Sequence, residues 1–432
     1  MYDAAVAGAA PGPLTTAALL ALPPAPRRHV RLFALGKAAH AMCAAAADTL
    51  SQPAYVIDGG LIVAPERESS PHPAIVALAG DHPMPGPRSF AAARRLDEAS
   101  QGMREEDMAV VLLSGGASSL VAAPIPGLRE DDIVRLFELL HRVGLHIHDM
   151  NAIRKRFTRW GAGRLAVALA PARTEVLVVS DVPGDVVADV ASGPCTPDEF
   201  TASAVLHLLR RSGLGDELPA ALAADLEAVQ RGVSPETPKP THPAFTRVTT
   251  RVIGSNRLAV DAAVARARAL SLSAEAATEP IAGDAARCGV VLAETLLARA
   301  ERGREGCVVW GGETTVRLAA DDRAPPRGGM AATGGRCQEL ALAAARRLAD
   351  GGDVARRVML LAAGTDGRDG PTDAAGAFAD AAIWNAIARG GHDPGRALAR
   401  HESYAALDSA GALLRRGPTG TNVMDVVIGV VE

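Results

Sequence analysis

Short β-rich apolar runs that close in small-residue turns recur along this chain, and they constrain its fold more than any other feature. The run His29 to Gly36 (HVRLFALG) leads into an Ala-rich helical stretch from Lys37 to Leu50. Similar units lie at Met108 to Leu113 before Ser114-Gly115-Gly116, at Glu175 to Ser180 before Asp181, and at Cys307 to Trp310 before Gly311-Gly312. Another lies at Arg357 to Ala363 before Gly364-Thr365-Asp366. Strands alternating with helices predict an α/β protein of Rossmann-like α/β/α domains with mainly parallel sheets. Ligands of such sheets bind in crevices beyond the carboxyl ends of the strands.

A length of 432 residues is more than one core usually serves, so two domains are expected. Between Arg231 and Thr246 four prolines with polar neighbours block both helix and central strand, and this run reads as a linker or crossing segment. It divides an N-terminal domain, 1–235, from a C-terminal one, 245–432, with approximate boundaries and room for exchanged segments. A second loop, Asp321 to Gly335, has two prolines and four glycines and leads into a helical run, Gln338 to Leu348. It is a candidate active-site loop.

Composition removes several function classes. The 45 basic and 49 acidic residues are spread without long blocks, so there is no polybasic surface for nucleic acid or for an anionic membrane. The N-terminal MYDAAVAGAAPGPL lacks a basic region, and no uninterrupted apolar run of about 18 residues occurs, which predicts a cytoplasmic protein. Five widely spaced cysteines without a CxxC pair suggest neither a disulfide framework nor a zinc site.

The candidate functional residues fall at strand ends. Small residues at Ser114, Gly115, Gly116, Ala117 and Ser118 let backbone N–H groups approach an anion, although a tight strand-to-helix turn would read the same way. Lys37 could reach a phosphoryl oxygen from the end of the first strand, or be a solvated surface lysine; the spacing around it is not that of a P-loop. Asp366, Asp369 and Asp373 share a glycine-rich loop that could hold Mg²⁺ or a polyol, with a solvated acidic turn as the alternative. Gly312, Glu313 and Thr314 pair a glycine turn with polar side chains, and Arg336 could neutralise a transferring phosphoryl group. Asp181 could serve as a base, as a metal ligand through water, or as a helix cap. His146 and His148 have metal-like spacing only if they lie on a strand, and no third ligand is near.

Nine ordered blocks then resemble the glycerate 2-kinase family, whose C-terminal region is called the MOFRL domain. They are ALGKAAHAM from Ala34, GDHPMPGPRS from Gly80, LLSGGASSL from Leu112, SDVPGDVVADVASGPCTPD from Ser180 and GSNRLAVDAA from Gly254. The series continues with GGETTV from Gly311, GGRCQELALA from Gly334, AAGTDGRDGPTDAAG from Ala362 and GPTGTNVMDVVIGVV from Gly417. The resemblance implies transfer of the γ-phosphoryl group of ATP, with Mg²⁺, to the 2-hydroxyl of D-glycerate or a related small hydroxy acid, in a cleft between two α/β domains. It maps the family's motif lysine and arginine onto Lys37 and Arg336 and its acidic loop onto Asp366, Asp369 and Asp373. It also makes Arg154, Arg156 and Asn256 candidates for substrate or phosphate binding. A homodimer is allowed, but no oligomer seam is legible.

The chain departs from the family at Arg154 to Ala166. Where relatives read like RKHLSxxKGGRLA, it has Arg156, Thr158 and Gly161 in place of histidine, serine and the second lysine. Moving cationic charge here would alter recognition of the substrate carboxylate. Cys337 and Met424 stand where asparagine is usual, which would remove polar groups from the cleft. Two other functions compete: a hydroxypyruvate reductase using NAD(P), against which the chain lacks any GxGxxG turn, and a non-catalytic hydroxy-acid binding protein.

Overall fold

The computed structural model describes residues 1–23, 28–143, 145–316 and 334–432. The chain divides into two compact units, one of Pro11–Gly254 and one of Met1–Ala10 with Ser255–Glu432. The loop expected from Asp321 lies outside the described residues as far as position 333.

The Pro11–Gly254 unit is built on six strands: β1 (Arg28–Leu35), β2 (Tyr55–Ala64), β3 (Ile75–Ala79), β4 (Met108–Leu113), β5 (Arg173–Val179) and β6 (Val248–Gly254). Their order is β3-β2-β1-β4-β5-β6 and every pairing is parallel. Strands covered on both faces are near-continuous apolar runs, and every residue of β4 is buried. Phe33, Leu35, Val111, Leu113, Val176 and Val178 share one core with Trp160, Leu165 and Leu169. The small side chains of the helix Ala39–Leu50 let it pack closely on β1, β2 and β4. A separate helical core joins Phe137, Ile153, Phe157, Val205, Leu209 and Leu226.

The proline-rich run 231–246 is not a bridge between the units but a staple inside this one. Glu236 accepts from Arg156 at 2.8 Å and from the backbone N–H of Ala202 at 2.7 Å, and the Thr237 hydroxyl donates to Asp198 at 2.9 Å. Asp198 also pairs with Lys155 at 3.1 Å, with side chains only 0% and 3% exposed. After the run, β6 joins the edge of the sheet beside β5.

The second unit carries β7 (Ala274–Ala276), β8 (Ile281–Asp284), β9 (Gly306–Thr315), β10 (Val358–Gly364), β11 (Gly376–Asp380), β12 (Leu413–Leu414) and β13 (Asp425–Val431). The order is β12-β11-β10-β13-β9-β7, with β8 also on β9. This sheet is mixed rather than mainly parallel: β7 and β8 run parallel to β9, while β9, β13, β10, β11 and β12 pair antiparallel. No helix lies between β10 and β11, so the chain returns beside itself, whereas a parallel return needs a long crossover. Nor does β9 stop before Gly311-Gly312, which pair with Val426 and Asp425 inside the sheet. Lacking side chains, these glycines admit Asn256 and the Ile281 backbone against the strand.

The first ten residues complete this unit. The helix Tyr2–Gly8 packs on the helix Asn256–Ala269, the Tyr2 hydroxyl donates to the Gly364 carbonyl at 2.7 Å, and Thr421 donates to Ala9 O at 2.8 Å. The helix Arg336–Ala349 is buried from Cys337 to Ala345 and packs on the helix Ala285–Glu301. Among the described residues no helix is long and apolar enough to cross a membrane.

Removing one partner of a fully buried ion pair leaves the other charge uncompensated. Asp198→Ala is therefore expected to cost about 3–5 kcal/mol by stranding the Lys155 ammonium. Urea unfolding measures it, and a cost under about 1 kcal/mol would contradict this role for the pair.

Candidate active site

Strand order reverses between β1 and β4, where two parallel neighbours send their following helices to opposite faces and leave a crevice at their carboxyl ends. The two turns that leave this point are bonded to each other. Lys37 N–H donates to Gly115 O at 2.9 Å, and the Ala38 N–H to the Ser114 hydroxyl at 3.0 Å. Ser114 is thereby buried and spent on the turn, and Ala117 is buried as well. Lys37 itself is exposed.

Two glycines of the β4 turn shape what surrounds it. A Cβ on Gly115 would lie 1.7 Å from an Asp181 carboxylate oxygen, so only glycine admits that carboxylate. Gly116 has φ +86° and lies against the His82 ring and the Lys37 stem. Burial raises the pKa of Asp181, and the charges of Lys37 and Arg154 pull it back.

Arg154 comes from the last turn of the helix Ile147–Phe157 and is held from several sides. Its Nε donates to the Ser192 hydroxyl at 3.2 Å, its Nη2 to Asn151 Oδ1, and its guanidinium lies 5.1 Å from the Phe137 ring centroid. Burial lowers its pKa to about 10, with Asp181 and Asp189 opposing that shift. Ser192 also bonds Ser118 at 2.8 Å and sits in left-handed backbone, φ +62°, after Ala191 at φ +56°. Two such residues in a row store strain next to a guanidinium they help to aim. His148 bonds Asp189 at 2.8 Å from a helix, not a strand, so the spacing of His146 and His148 does not make a metal pair.

Arg156 does not belong to this cluster. It is 2% exposed and paired with Glu236, and Arg164 ties the same stretch down by donating to the carbonyls of Lys155, Arg156 and Thr158. The replaced positions Arg156 and Thr158 are therefore core architecture, and the Arg156 charge is neutralised by Glu236 rather than presented to a substrate carboxylate.

In the second unit Arg336 opens its helix and is gripped by two acids. Asp425 accepts from Nε at 2.6 Å and Nη2 at 2.8 Å, and Glu313 lies 2.8 Å from Nη1. Burial works against the guanidinium charge, but these carboxylates outweigh it and raise the pKa. Gly312 pairs with Asp425 across the strands, and Asn256 donates its amide to the Val423 and Asp425 carbonyls at 2.7 and 2.9 Å. Asn256 is thus a backbone clamp, and Thr314 is buried with its hydroxyl unpartnered among the described residues. Cys337 is buried at 1% exposure, and Met424 occupies left-handed backbone at φ +67°, a conformation that asparagine tolerates well.

The three loop aspartates have separate duties. Asp369 accepts from the backbone N–H groups of Cys337 and Gln338 at 3.1 and 2.7 Å, filling the start of the Arg336–Ala349 helix with its own carboxylate. Burial pushes its pKa up to about 7, against those two donors. Asp373 bonds Tyr404 at 2.7 Å and Arg415 at 3.2 Å, while Asp366 accepts from Arg368 N at 3.0 Å. Among the described residues no group of three or more His, Cys, Asp or Glu side chains can share a metal ion. Asp366, Asp369 and Asp373 therefore do not converge on one metal position.

His82 and Asp425 went unassigned from sequence. His82 lies in the run GDHPMPGPRS, where nothing marks it from its neighbours, and Asp425 is legible only as one acid opening the apolar strand DVVIGVV.

Comparison with known proteins gives two family matches along the chain. Residues 1–227 match a family described as a domain of unknown function (DUF4147), and residues 306–425 match the MOFRL family. The D-glycerate 2-kinase of Thermotoga maritima is 34% identical over 93% of this chain and 90% of its own length. The glycerate 2-kinase of Pyrococcus horikoshii is 32% identical over 93% of this chain and 87% of its own. The crystal structure of the Thermotoga maritima glycerate kinase superposes with a TM-score of 0.84 at 32% identity, covering 100% of this chain and 97% of that one.

Substitution of the two arginines is expected to have different effects. Arg154→Met should raise the KM for a carboxylate substrate by about 10–100-fold, the worth of a charged hydrogen bond. Arg156→Met should lower the thermal midpoint and leave KM unchanged; steady-state kinetics beside a melting curve distinguishes them, and the reverse pattern would contradict the assignment.

Proposed function

The chain belongs to the glycerate 2-kinase family, and from that premise we propose that it transfers the γ-phosphoryl group of ATP to the 2-hydroxyl of D-glycerate, giving 2-phosphoglycerate and ADP. The observation that carries this reading is Lys37 at the β1–β4 reversal, with Asp181 seated on Gly115 beside it. Phosphoryl transfer asks a protein chiefly for positioning and for neutralisation of charge. The Lys37 ammonium meets the transferring phosphoryl oxygens, and the Gly115-Gly116 turn lets backbone approach them. Arg154 receives the glycerate carboxylate, a planar acceptor that suits a guanidinium already aimed by Asn151 and Ser192. Asp181 orients Lys37 through its charge.

Arg336 acts in the second unit. Asp425 and Glu313 occupy three of its N–H groups and fix the plane of the fork, leaving two N–H groups for a phosphate. The divalent ion enters as part of the nucleotide substrate, because the loop aspartates are committed elsewhere. A reductase reading lacks its dinucleotide turn: the turn after β1 reads Gly36-Lys37-Ala38, with a cationic side chain where such a turn needs glycine.

ADP release with D-glycerate and MgATP tests the proposal. Lys37→Ala should lower kcat by about 10²–10³, the usual loss when one preorganised charge is removed. Full activity in that variant would contradict it.

A further inference from the structure

The segment after β3 has no part in the reading above, yet it brings a titratable ring to the same turn. Since β3 is an edge strand, a loop at its end would ordinarily stay at the margin of the sheet. Here it is drawn inward. Gly80 donates to Ala64 O at 2.9 Å and lies so close to the residue ending the short 117–120 helix that a Cβ on it would be 2.6 Å from Leu120 O. Asp81 then fixes the direction of the chain. Its carboxylate accepts from the Arg88 backbone at 2.9 Å and from Arg88 Nε at 2.6 Å, and its N–H donates to the Ser89 hydroxyl at 2.8 Å.

Anchored on both sides, the next residue lays its ring edge on the glycine turn. A Cβ on Gly116 would lie 3.0 Å from His82 Cδ2, 3.1 Å from its Nε2 and 3.4 Å from Lys37 Cγ. His82 and Lys37 therefore flank Gly116 while Asp181 covers Gly115, and three functional side chains surround two adjacent glycines.

We infer that His82 is the proton acceptor for the substrate 2-hydroxyl, an inference that rests on the kinase reading. The hydroxyl oxygen bonds to the γ-phosphorus as the bond from that phosphorus to the β,γ-bridging oxygen breaks. The hydroxyl proton passes to His82 Nε2, ADP departs with the electron pair of the broken bond, and the imidazolium releases its proton to water. Asp181 is seated on Gly115 rather than on Gly116, and it is left to orient Lys37. Partial burial, Lys37 and His141 together lower the His82 pKa to about 4, so the ring is neutral and able to accept at pH 7. The negative charge of a bound polyphosphate raises that pKa toward the working pH, where a general base is most effective.

The test compares kcat and KM of the full-length wild type, His82→Ala and His82→Gln with D-glycerate and saturating MgATP, with and without added imidazole. Both variants should keep KM within about threefold and lose kcat by about 10²–10⁴, with imidazole restoring part of the loss in the alanine variant alone. A glutamine variant as active as wild type overturns the inference, and so does an alanine variant whose defect lies in KM and is not rescued. If the wild type is active and the variants are unaffected, only this inference fails; if the wild type phosphorylates no hydroxy acid, the kinase reading fails and takes the inference with it.

Discussion

Two backbone turns meet where the order of a parallel sheet reverses, and the hydrogen bonds between them hold the rest of the site in place. Lys37 and Ala38 donate to Gly115 and Ser114, so the end of β1 cannot move without the end of β4. That coupling fixes a narrow platform of two glycines. Around it gather side chains from four segments distant in sequence: Lys37 after β1, His82 after β3, Asp181 after β5 and, within the field of Asp181, Arg154 from a helix. None of these could be carried by the platform itself, because a single added methyl at Gly115 would collide with Asp181. The small residues are what allow charged ones to converge.

Burial sorts the cations of the same unit into two roles. Lys155 and Arg156 point into the core and have acids waiting for them, Asp198 and Glu236, while Arg164 is consumed by backbone carbonyls. Arg154, in the same helix turn, is instead held by neutral hydroxyl and amide groups and an aromatic face. A guanidinium restrained by neutral partners brings its whole charge to an anion; one paired with a carboxylate brings mainly the N–H groups that the pair leaves over. In the second unit Arg336 takes the other course, with Asp425 and Glu313 fixing its orientation at the expense of its net charge.

Much of the first unit could be read from the sequence because its signals are local. The apolar run Met108 to Leu113 is a strand with those limits, and the glycines after it mark the turn that the site uses. The second unit was less legible. Its sheet is mixed because β13, the last strand of the chain, inserts between β9 and β10, and pairing over that separation leaves no mark on local periodicity. The proline-rich run carries no strand and only a short 3₁₀ helix at its end, Pro243–Arg247, but composition cannot tell a linker from a staple, since Glu236 and Thr237 have partners about forty to eighty positions away. The acidic loop misled for a related reason: closely spaced aspartates suggest a shared cation, whereas here a helix start, a tyrosine with an arginine, and a turn each claim one. His82 was hidden because its meaning depends on where the loop after an edge strand is pulled.

The central claim is that this chain moves a phosphoryl group onto the 2-hydroxyl of a hydroxy acid, and the product itself carries the answer. Phosphorus NMR of the compound formed from MgATP and D-glycerate reads the position directly, since phosphorus on the 2-oxygen couples to a lone methine proton and phosphorus on the 3-oxygen to a methylene pair. The account predicts a doublet that grows as ATP is consumed. A triplet, or loss of the γ-phosphoryl signal to inorganic phosphate alone, would contradict it.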